Sequence, residues 1–400
     1  MRIGVFGGTF NPIHNGHIAL AKRLIEELKF DELMLIPTAQ PPHKDGSEVI
    51  SAEHRLAMCR IAAEEIPNCV VSDIEIKRGG KSYTVSTLRL LLADRPDDEF
   101  VLLMGGDMFL SFMDWRAPDE ILRLVRIAAI PREVGELAAL QAQCENLNAR
   151  GGRTQVVDVE AVVMSSTELR NSTELSQGVP AGIERYILQN GLYGRDKRLM
   201  VDLDKITAWL KGRLSPKRFT HTMNVANESL RLAQHYGLNC DEAYIAGLLH
   251  DCCKELDKDE LLNILKDSDI INDQAFLDST PVWHGFAAAE FIKREFSLYN
   301  VEILNAVKYH TTGRWEMSEI EKAVYLADLI SADRTYPGVE ALRAKTYHSL
   351  DEAMMEALEF MLGNIAKKKL PLLSLTADAY NRFRFLTREE LKSAEKEDQR

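Results

Sequence analysis

Once along the chain, near residue 195, the spacing of apolar residues changes character, and this limits the possible folds more than any other feature. Before that point short apolar runs alternate with amphipathic stretches. The runs Arg2–Phe6, Leu33–Ile36, Val70–Ile74, Phe100–Met104, Arg126–Ile130 and Gln155–Val159 read as strands. Between the first two, Leu20, Leu24 and Leu28 stand four apart beside Ala21 and Ile25, which gives a helix one apolar face. Ser51 is placed to cap a second helix through Leu56, Cys59, Ala63 and Ile66. Such alternation predicts βαβ crossovers and an α/β, doubly wound parallel sheet. From Met200 onward the spacing is helical and no strand is evident: Val225, Ser229, Leu232 and Tyr236 follow i, i+4, i+7, i+11. An all-α bundle is expected there. Four hundred residues exceed one comfortable core, so two domains are predicted, 1–195 and 196–400, meeting in a short polar stretch. The last segment, Thr387–Arg400, opens on a Thr387…Glu390 capping box and then turns highly charged, reading as a fraying helix or a solvated tail.

Composition narrows the function. A net charge of −12 argues against broad nucleic-acid binding, which needs a surplus of Lys and Arg to neutralise phosphates. The six cysteines show no CxxC spacing and read as reduced thiols. MRIGVFGGTF runs straight into a strand without the order of a signal peptide, and no apolar run approaches the ~20 residues of a membrane span. A cytoplasmic protein with no membrane partner is expected; a homo-oligomer is compatible with the sequence.

Chemistry concentrates at two places. In the first half, Gly7-Gly8-Thr9-Phe10-Asn11-Pro12 follows the first strand and leads into His14-Asn15-Gly16-His17 at a helix start. Glycines there let the backbone approach a phosphate, and the free N–H groups of a helix end attract anions. Two imidazoles three residues apart share one side of the turn and can donate to phosphoryl oxygens. A lone Gly-Gly is usually only a turn, but three such features at the carboxyl end of the first strand point to a ligand site. Farther on, Ser165-Ser166-Thr167-Glu168-Leu169-Arg170 offers hydroxyls and N–H groups at another helix start, with an Arg one turn along.

The pair Gly-Gly-Thr-Phe-Asn-Pro-x-His-x-Gly-His and Ser-Ser-Thr-x-x-Arg resembles the nucleotidyltransferase superfamily. Within it, the first 195 residues are similar to bacterial nicotinate-mononucleotide adenylyltransferases. The resemblance implies a Rossmann-like fold and a part in NAD biosynthesis: adenylyl transfer from ATP, with Mg²⁺, to nicotinate mononucleotide. It implies that Gly7, Gly8, Thr9, Phe10, His14, His17, Ser165, Ser166, Thr167 and Arg170 hold ATP. His14, His17, Lys44 and Arg170 would serve catalysis. Pro41-Pro42-His43-Lys44 resembles a substrate-side loop, and Tyr83, Thr84, Gly106, Asp107 and Trp115 the nicotinate pocket, with Trp115 a flat face for the pyridine ring. Ser86 departs from the pattern, standing where Asp is usual; a serine there can cap the following helix.

In the second half, four histidines fall in settings that look deliberate: His221, His250, His284 and His310. Asp251 and Asp328 accompany them. Spacings of 29, 34, 26 and 18 residues between successive landmarks put these groups on different helices, which a bundle can converge on its centre. Any one of these histidines is more simply a packed residue; the set with two aspartates is not. Four imidazoles and two carboxylates exceed one tetrahedral site. They fit one six-coordinate ion, or two ions with Asp251 as a bridge, and mixed nitrogen and oxygen ligation suits iron, manganese, cobalt or zinc without choosing among them. Ser215 and Pro216 make a good helix start, yet Lys217 and Arg218 follow, and two cations in a first turn oppose the helix dipole. A bound polyphosphate reverses that penalty. Cys252 and Cys253 read as packed thiols outside the site.

The order His…His-Asp…Asp resembles the HD phosphohydrolase superfamily. Ser215-Pro216-Lys217-Arg218-Phe219-x-His221, His250-Asp251-x-x-Lys254 and Ala327-Asp328…Asp333-Arg334-x-Tyr336-Pro337-Gly338 are similar to its YqeK-type branch. That branch splits diadenosine tetraphosphate symmetrically into two ADP. The resemblance implies metal ligands His221, His250, Asp251, His284, His310 and Asp328. Asp251 and Lys254 would be catalytic, and Lys217, Arg218, Lys254 and Arg334 would bind the dinucleoside polyphosphate. The alternative is a nucleotide-sensing module without turnover, or a hydrolase of another phosphoester.

Overall fold

The computed structural model describes residues 1–40, 49–131, 135–157, 159, 165–171, 175–199, 201–266, 268, 270 and 274–397, with 171 and 387–397 by backbone alone. By contacts the chain divides into two units, Met1–Lys197 and Arg198–Arg400.

In the first unit, β1 (Arg2–Gly8) leads into α1 (Asn15–Leu28), and β2 (Glu32–Pro37) into α2 (Ala52–Ala63). Then come β3 (Cys69–Val71), α3 (Ile74–Arg78), α4 (Thr84–Asp94) and β4 (Glu99–Gly105). They are followed by α5 (Gly106–Leu110), α6 (Pro118–Leu124), β5 (Arg126–Ile130), α7 (Leu137–Ala149), β6 (Thr154–Val156), α8 (Ser166–Asn171) and α9 (Ala181–Gln189). The strands form one parallel sheet in the order β3-β2-β1-β4-β5-β6. Phe100 to Met104 are all at most 4% exposed, because a central strand covered by helices on both faces has no wet side. Helix α1 buries Ile18, Ala21, Leu24 and Leu28; its apolar face is centred on these rather than on Leu20.

Two strand expectations need correction. The run at Val70–Ile74 ends as a strand at Val71: Ser72 Oγ accepts from the Ile74 amide at 3.3 Å, and Asp73 O accepts from Lys77, turning the chain into α3. The run Gln155–Val159 is a strand only to Val156; the Val159 amide bonds to Val157 O at 3.0 Å, curling the chain off the sheet edge.

The second unit is helical: α10 (Leu203–Arg213), α11 (Pro216–Tyr236), α12 (Cys240–Leu249), α13 (Lys258–Leu265), α14 (Gln274–Leu277) and α15 (Trp283–Phe296), then α16 (Val301–Tyr309), α17 (Glu319–Ile330), α18 (Val339–Thr346), α19 (Leu350–Lys368) and α20 (Ser374–Glu397). Two cores flank α11: Ala226 faces one with Leu248, Phe286 and Val307, and Val225 faces the other with Leu326, Met354 and Phe383. The capping box expected at Thr387 is not a helix start, since α20 is continuous from Ser374 through that position. Among the described residues no helix is long and apolar enough to cross a membrane.

Candidate functional site

In the first unit the strand order reverses between β1 and β4, and the crevice beyond the carboxyl ends of such a pair is where open α/β sheets take ligands. β1 ends on Gly7-Gly8 and β4 on Gly105, with Gly106-Asp107 opening α5. A Cβ on Gly8 would come within 2.9–3.1 Å of the Phe10 ring, so the turn has no room for a side chain there. Phe10 is buried and sits edge-on to Phe6 at 5.6 Å and to His17 at 5.2 Å. His14 occupies the N-cap position of α1, and its ring lies 3.7 Å from that of His17, so the three-residue spacing does bring both imidazoles together.

The second motif folds onto the first. Ser166 Oγ donates to Pro12 O at 3.1 Å, and the Arg170 guanidinium donates to Asn11 O at 2.8 Å and to Thr167 Oγ1 at 3.2 Å. Ser165 O accepts from Leu169 and opens α8. Tyr83 and Thr84 lie at the start of α4, where buried Ser82 accepts from the Ala39 amide at 3.0 Å. The Arg116 guanidinium lies 4.6 Å over the Tyr83 ring, and Trp115 is half-buried 5.8 Å from Phe112. Gly106 is buried and Asp107 exposed. Lys44 lies outside the described residues. Ser86 does not cap α4 as expected: the helix begins at Thr84, which leaves Ser86 inside the first turn with its amide bonded to Tyr83 O.

Sequence reasoning missed Arg55. It is 1% exposed and donates to Thr9 O (2.8 Å), Thr38 O (2.6 Å), Ala39 O (3.1 Å) and Ile50 O (3.1 Å), tying the glycine turn after β1 to the exit of β2. The available signal was a charged residue in register with the buried face of α2, at 55, 59 and 62. Tyr193, whose hydroxyl donates to Asn11 Oδ1 at 3.1 Å, was also missed.

In the second unit all six expected ligands converge. His221 lies on α11, His250 and Asp251 at the end of α12, His284 on α15, His310 at the end of α16 and Asp328 on α17. Two glycines permit this approach. A Cβ on Gly247 would meet Ala226 Cα at 2.9 Å where α12 crosses α11, and one on Gly285 would meet Lys308 O at 3.0 Å where α15 crosses α16. Asp251 Oδ1 is 3.1 Å from His284 Nε2 and 3.6 Å from His310 Nε2, while Oδ2 is 3.5 Å from His250 Nε2. Asp328 Oδ1 is 3.0 Å from His221 Nε2. Three triads have ligand atoms mutually within 4.8 Å: His221-His250-Asp251, His250-His310-Asp328 and Asp251-His284-His310.

The donor set fits divalent cations. His250 and His310 each give Nδ1–H to a backbone carbonyl, Gly247 O and Val307 O, both at 2.7 Å. This turns both Nε2 lone pairs into the cluster. His250 Nε2 is fully buried with no hydrogen-bond partner among the described residues. Burial pushes the His284 imidazole down to about 4, which keeps it neutral. Burial alone would raise Asp251, but His250 beside it and bonds from His284 and His310 hold it well below the carboxylate range. Lone pairs and carboxylates facing one another inside a protein call for a cation.

Cationic side chains surround the cluster. Arg218 donates to Asp251 Oδ2 at 2.6 Å, Arg334 to Asp328 Oδ1 at 2.5 Å, and Lys254 Nζ lies 3.1 Å from His284 Nε2, its ammonium held below its usual range by burial. Lys217 is exposed on the turn before Arg218. Cys252 and Cys253 are 1% exposed in the apolar core, their sulfurs 3.9 Å apart, outside the ligand triads. A residue absent from the expected site is Asp333: its Oδ2 meets His221 Nδ1 at 2.8 Å, and its Oδ1 accepts from Asn224 and Ser331, both at 3.0 Å. Burial would raise its pKa, but these donors hold it down to about 2.

Two families match along the chain. Residues 5–172 match the cytidylyltransferase-like family and residues 218–333 the HD domain family. A Symbiobacterium thermophilum protein named "Probable nicotinate-nucleotide adenylyltransferase" is 37% identical over 199 residues, covering 48% of this chain and 96% of that one. A Mycoplasma genitalium protein named "Probable nicotinate-nucleotide adenylyltransferase/Ap4A hydrolase" is 27% identical over 340 residues, covering 83% of this chain and 88% of that one. A solved Clostridium acetobutylicum structure described as a "predicted HD superfamily hydrolase involved in NAD metabolism" is 31% identical, covering 46% of this chain and 98% of that one, with a TM-score of 0.45.

Proposed function

We propose, from the premise that the chain belongs to the nicotinate-nucleotide adenylyltransferase family and continues into an HD domain, that it is a bifunctional enzyme. Residues 1–195 transfer the adenylyl group of ATP to nicotinate mononucleotide, giving deamido-NAD and pyrophosphate. Residues 196–400 hydrolyse diadenosine tetraphosphate to two ADP.

For the transferase the carrying observation is the clip between its two motifs, Ser166 to Pro12 O and Arg170 to Asn11 O, at the carboxyl end of β1. The mononucleotide phosphate attacks the α-phosphorus and pyrophosphate leaves. Such a reaction needs alignment and charge stabilisation more than covalent help. His14 and His17 face the triphosphate and the developing charge. Arg170 and Lys44 neutralise phosphate oxygens, with Mg²⁺ accompanying the nucleotide. Tyr83, Thr84, Gly106, Asp107 and Trp115 receive the nicotinate moiety.

For the hydrolase the carrying observation is the convergence of four histidines and two aspartates from five helices. His221, His250, Asp251, His284, His310 and Asp328 hold one or two transition-metal ions, iron first, or manganese, cobalt or zinc. Bound there, such ions supply an acidified water and offset charge on the leaving oxygen. Arg218, Lys254 and Arg334 bind the polyphosphate where they now meet the cluster.

Supplying the full chain with ATP and either nicotinate or nicotinamide mononucleotide tests the first reading, and the acid form is expected to react faster. Incubation with diadenosine tetraphosphate and Fe²⁺, Mn²⁺ or Co²⁺ tests the second, with ADP as sole product. Prior stripping with a strong chelator removes ADP formation, and re-addition of Mg²⁺ alone restores only the transferase. Absence of ADP with all three metals overturns the substrate assignment.

A further inference from the structure

We propose that Asp333 is a positioning residue of the metal centre, fixing His221 as the Nδ1–H tautomer so that its Nε2 lone pair enters the cluster; this rests on the metal-binding reading of the six-residue site. Among the described residues the other hydrogen bonds to the Asp333 carboxylate come from Asn224 Nδ2 and Ser331 Oγ, both to Oδ1, and Oδ2 meets His221 Nδ1 at 2.8 Å. Both ring nitrogens face carboxylates, but Nε2 and Asp328 belong to the ligand set, so an ion held in the cluster would take the Nε2 lone pair and leave the single ring proton on Nδ1, facing an Asp333 carboxylate that only accepts.

The opposite nitrogen is then an acceptor 3.0 Å from Asp328 Oδ1, an arrangement that requires positive charge nearby. Arg334, 3.4 Å from that nitrogen, sits at the rim, and a metal ion is the group the remaining ligands accommodate. Asp333 therefore does for His221 what Gly247 O does for His250 and Val307 O does for His310. His221 lies within α11, and among the described residues its Nδ1 meets Asp333 rather than a backbone carbonyl, so a side chain from outside the helix takes the role.

The surrounding turn is built to hold that side chain. After α17 the chain turns at Ser331, where Arg334 N bonds to Ser331 O at 2.9 Å. Arg343 ties the turn down from α18, donating to Ile330 O, Ser331 O and Arg334 O at 2.8–2.9 Å. One short turn thus delivers a metal ligand's orienter, Asp333, and a phosphate-side cation, Arg334.

The test uses the full chain and its Asp333→Asn and Asp333→Ala variants, titrated with Co²⁺ by visible absorption and chelator competition. Loss of an outer carboxylate of this kind costs about 10–100-fold in metal affinity. Asp333→Ala is expected to show that loss, and Asp333→Asn a smaller one because its amide oxygen still accepts Nδ1–H. Ring ¹⁵N shifts of His221 in the metal-free chain, assigned with His221→Gln, are expected to report one tautomer in the parent and a mixture in Asp333→Ala. If Asp333→Ala does not fold, Asp333→Asn, isosteric with the parent, carries both measurements. Unchanged Co²⁺ affinity and an unchanged His221 tautomer in the variants overturn the positioning role while leaving the metal centre standing. A parent chain that binds no Co²⁺ overturns both.

Discussion

The guanidinium of Arg55 donates to four main-chain carbonyls, and no other residue type supplies so many donors from one planar group. Leaving buried acceptors unpaired costs about 1–3 kcal/mol for each. Arg55→Ala is therefore expected to lower urea-unfolding stability by at least ~3 kcal/mol and to depress transferase kcat/KM, with Arg55→Lys intermediate; a loss below ~1 kcal/mol would show that water replaces the fork. Trp115 offers a contrasting case, since an aromatic face is worth about 0.5–1.5 kcal/mol beyond its area. Trp115→Ala should raise KM for nicotinate mononucleotide by roughly 3–10-fold and leave KM for ATP unchanged. Equal rises in both constants would place the ring outside the pocket. The chemistry-bearing types were legible in the sequence because His, Asp, Gly and Ser at these spacings have few other uses. Arg55 was not, nor was the role of Asp333, which stood only within a family motif, because their partners are backbone carbonyls and a ring nitrogen brought in by the fold. A sequence displays side chains but not the main-chain acceptors they will meet.

Among elements, the six strands were legible as apolar runs because a doubly covered sheet leaves its central strands no polar positions. The ends were read less well. At β3 the Ser72 hydroxyl accepts from the Ile74 amide where the second half of an apolar run becomes α3; local side-chain competition of this kind is invisible to a hydropathy pattern. Helix α2 carries a further consequence through His54, whose Nδ1 lies 2.8 Å from the Tyr186 hydroxyl of α9. Burial holds this imidazole below its usual value. The unfolded chain therefore takes up a proton near pH 6.5 that the folded chain declines, so stability falls as pH drops below that value and is retained above it. Urea-unfolding midpoints of the first unit's signal between pH 7.5 and 5 are expected to decline, and His54→Gln should flatten that decline. An equally steep fall in the variant would assign the effect to other groups.

At the scale of the whole molecule, the described residues gather one candidate site in each unit: the clip of Ser166 and Arg170 on the turn after β1, and the histidine–aspartate cluster on the helices of the second unit. If the second half turns over its own substrate, removing its ligands abolishes one activity and spares the other. If it only senses nucleotide and regulates its neighbour, the same change alters transferase kinetics. His250→Ala combined with Asp251→Ala removes ligands from all three triads, because each contains at least one of the two and His221-His250-Asp251 contains both. Metal-assisted hydrolysis is then expected to fall by two or more orders of magnitude, since the acidified water and the charge facing the leaving oxygen are lost together. Deleting Asp251 also strips Arg218 of the carboxylate it meets at 2.6 Å, so folding is checked by unfolding midpoint alongside activity. Transferase kcat and KM for both substrates should stay within about twofold of the parent, a change of under ~0.5 kcal/mol. A larger shift in either constant, with the fold intact, would mean that the second half acts on the first, and would favour sensing over independent catalysis.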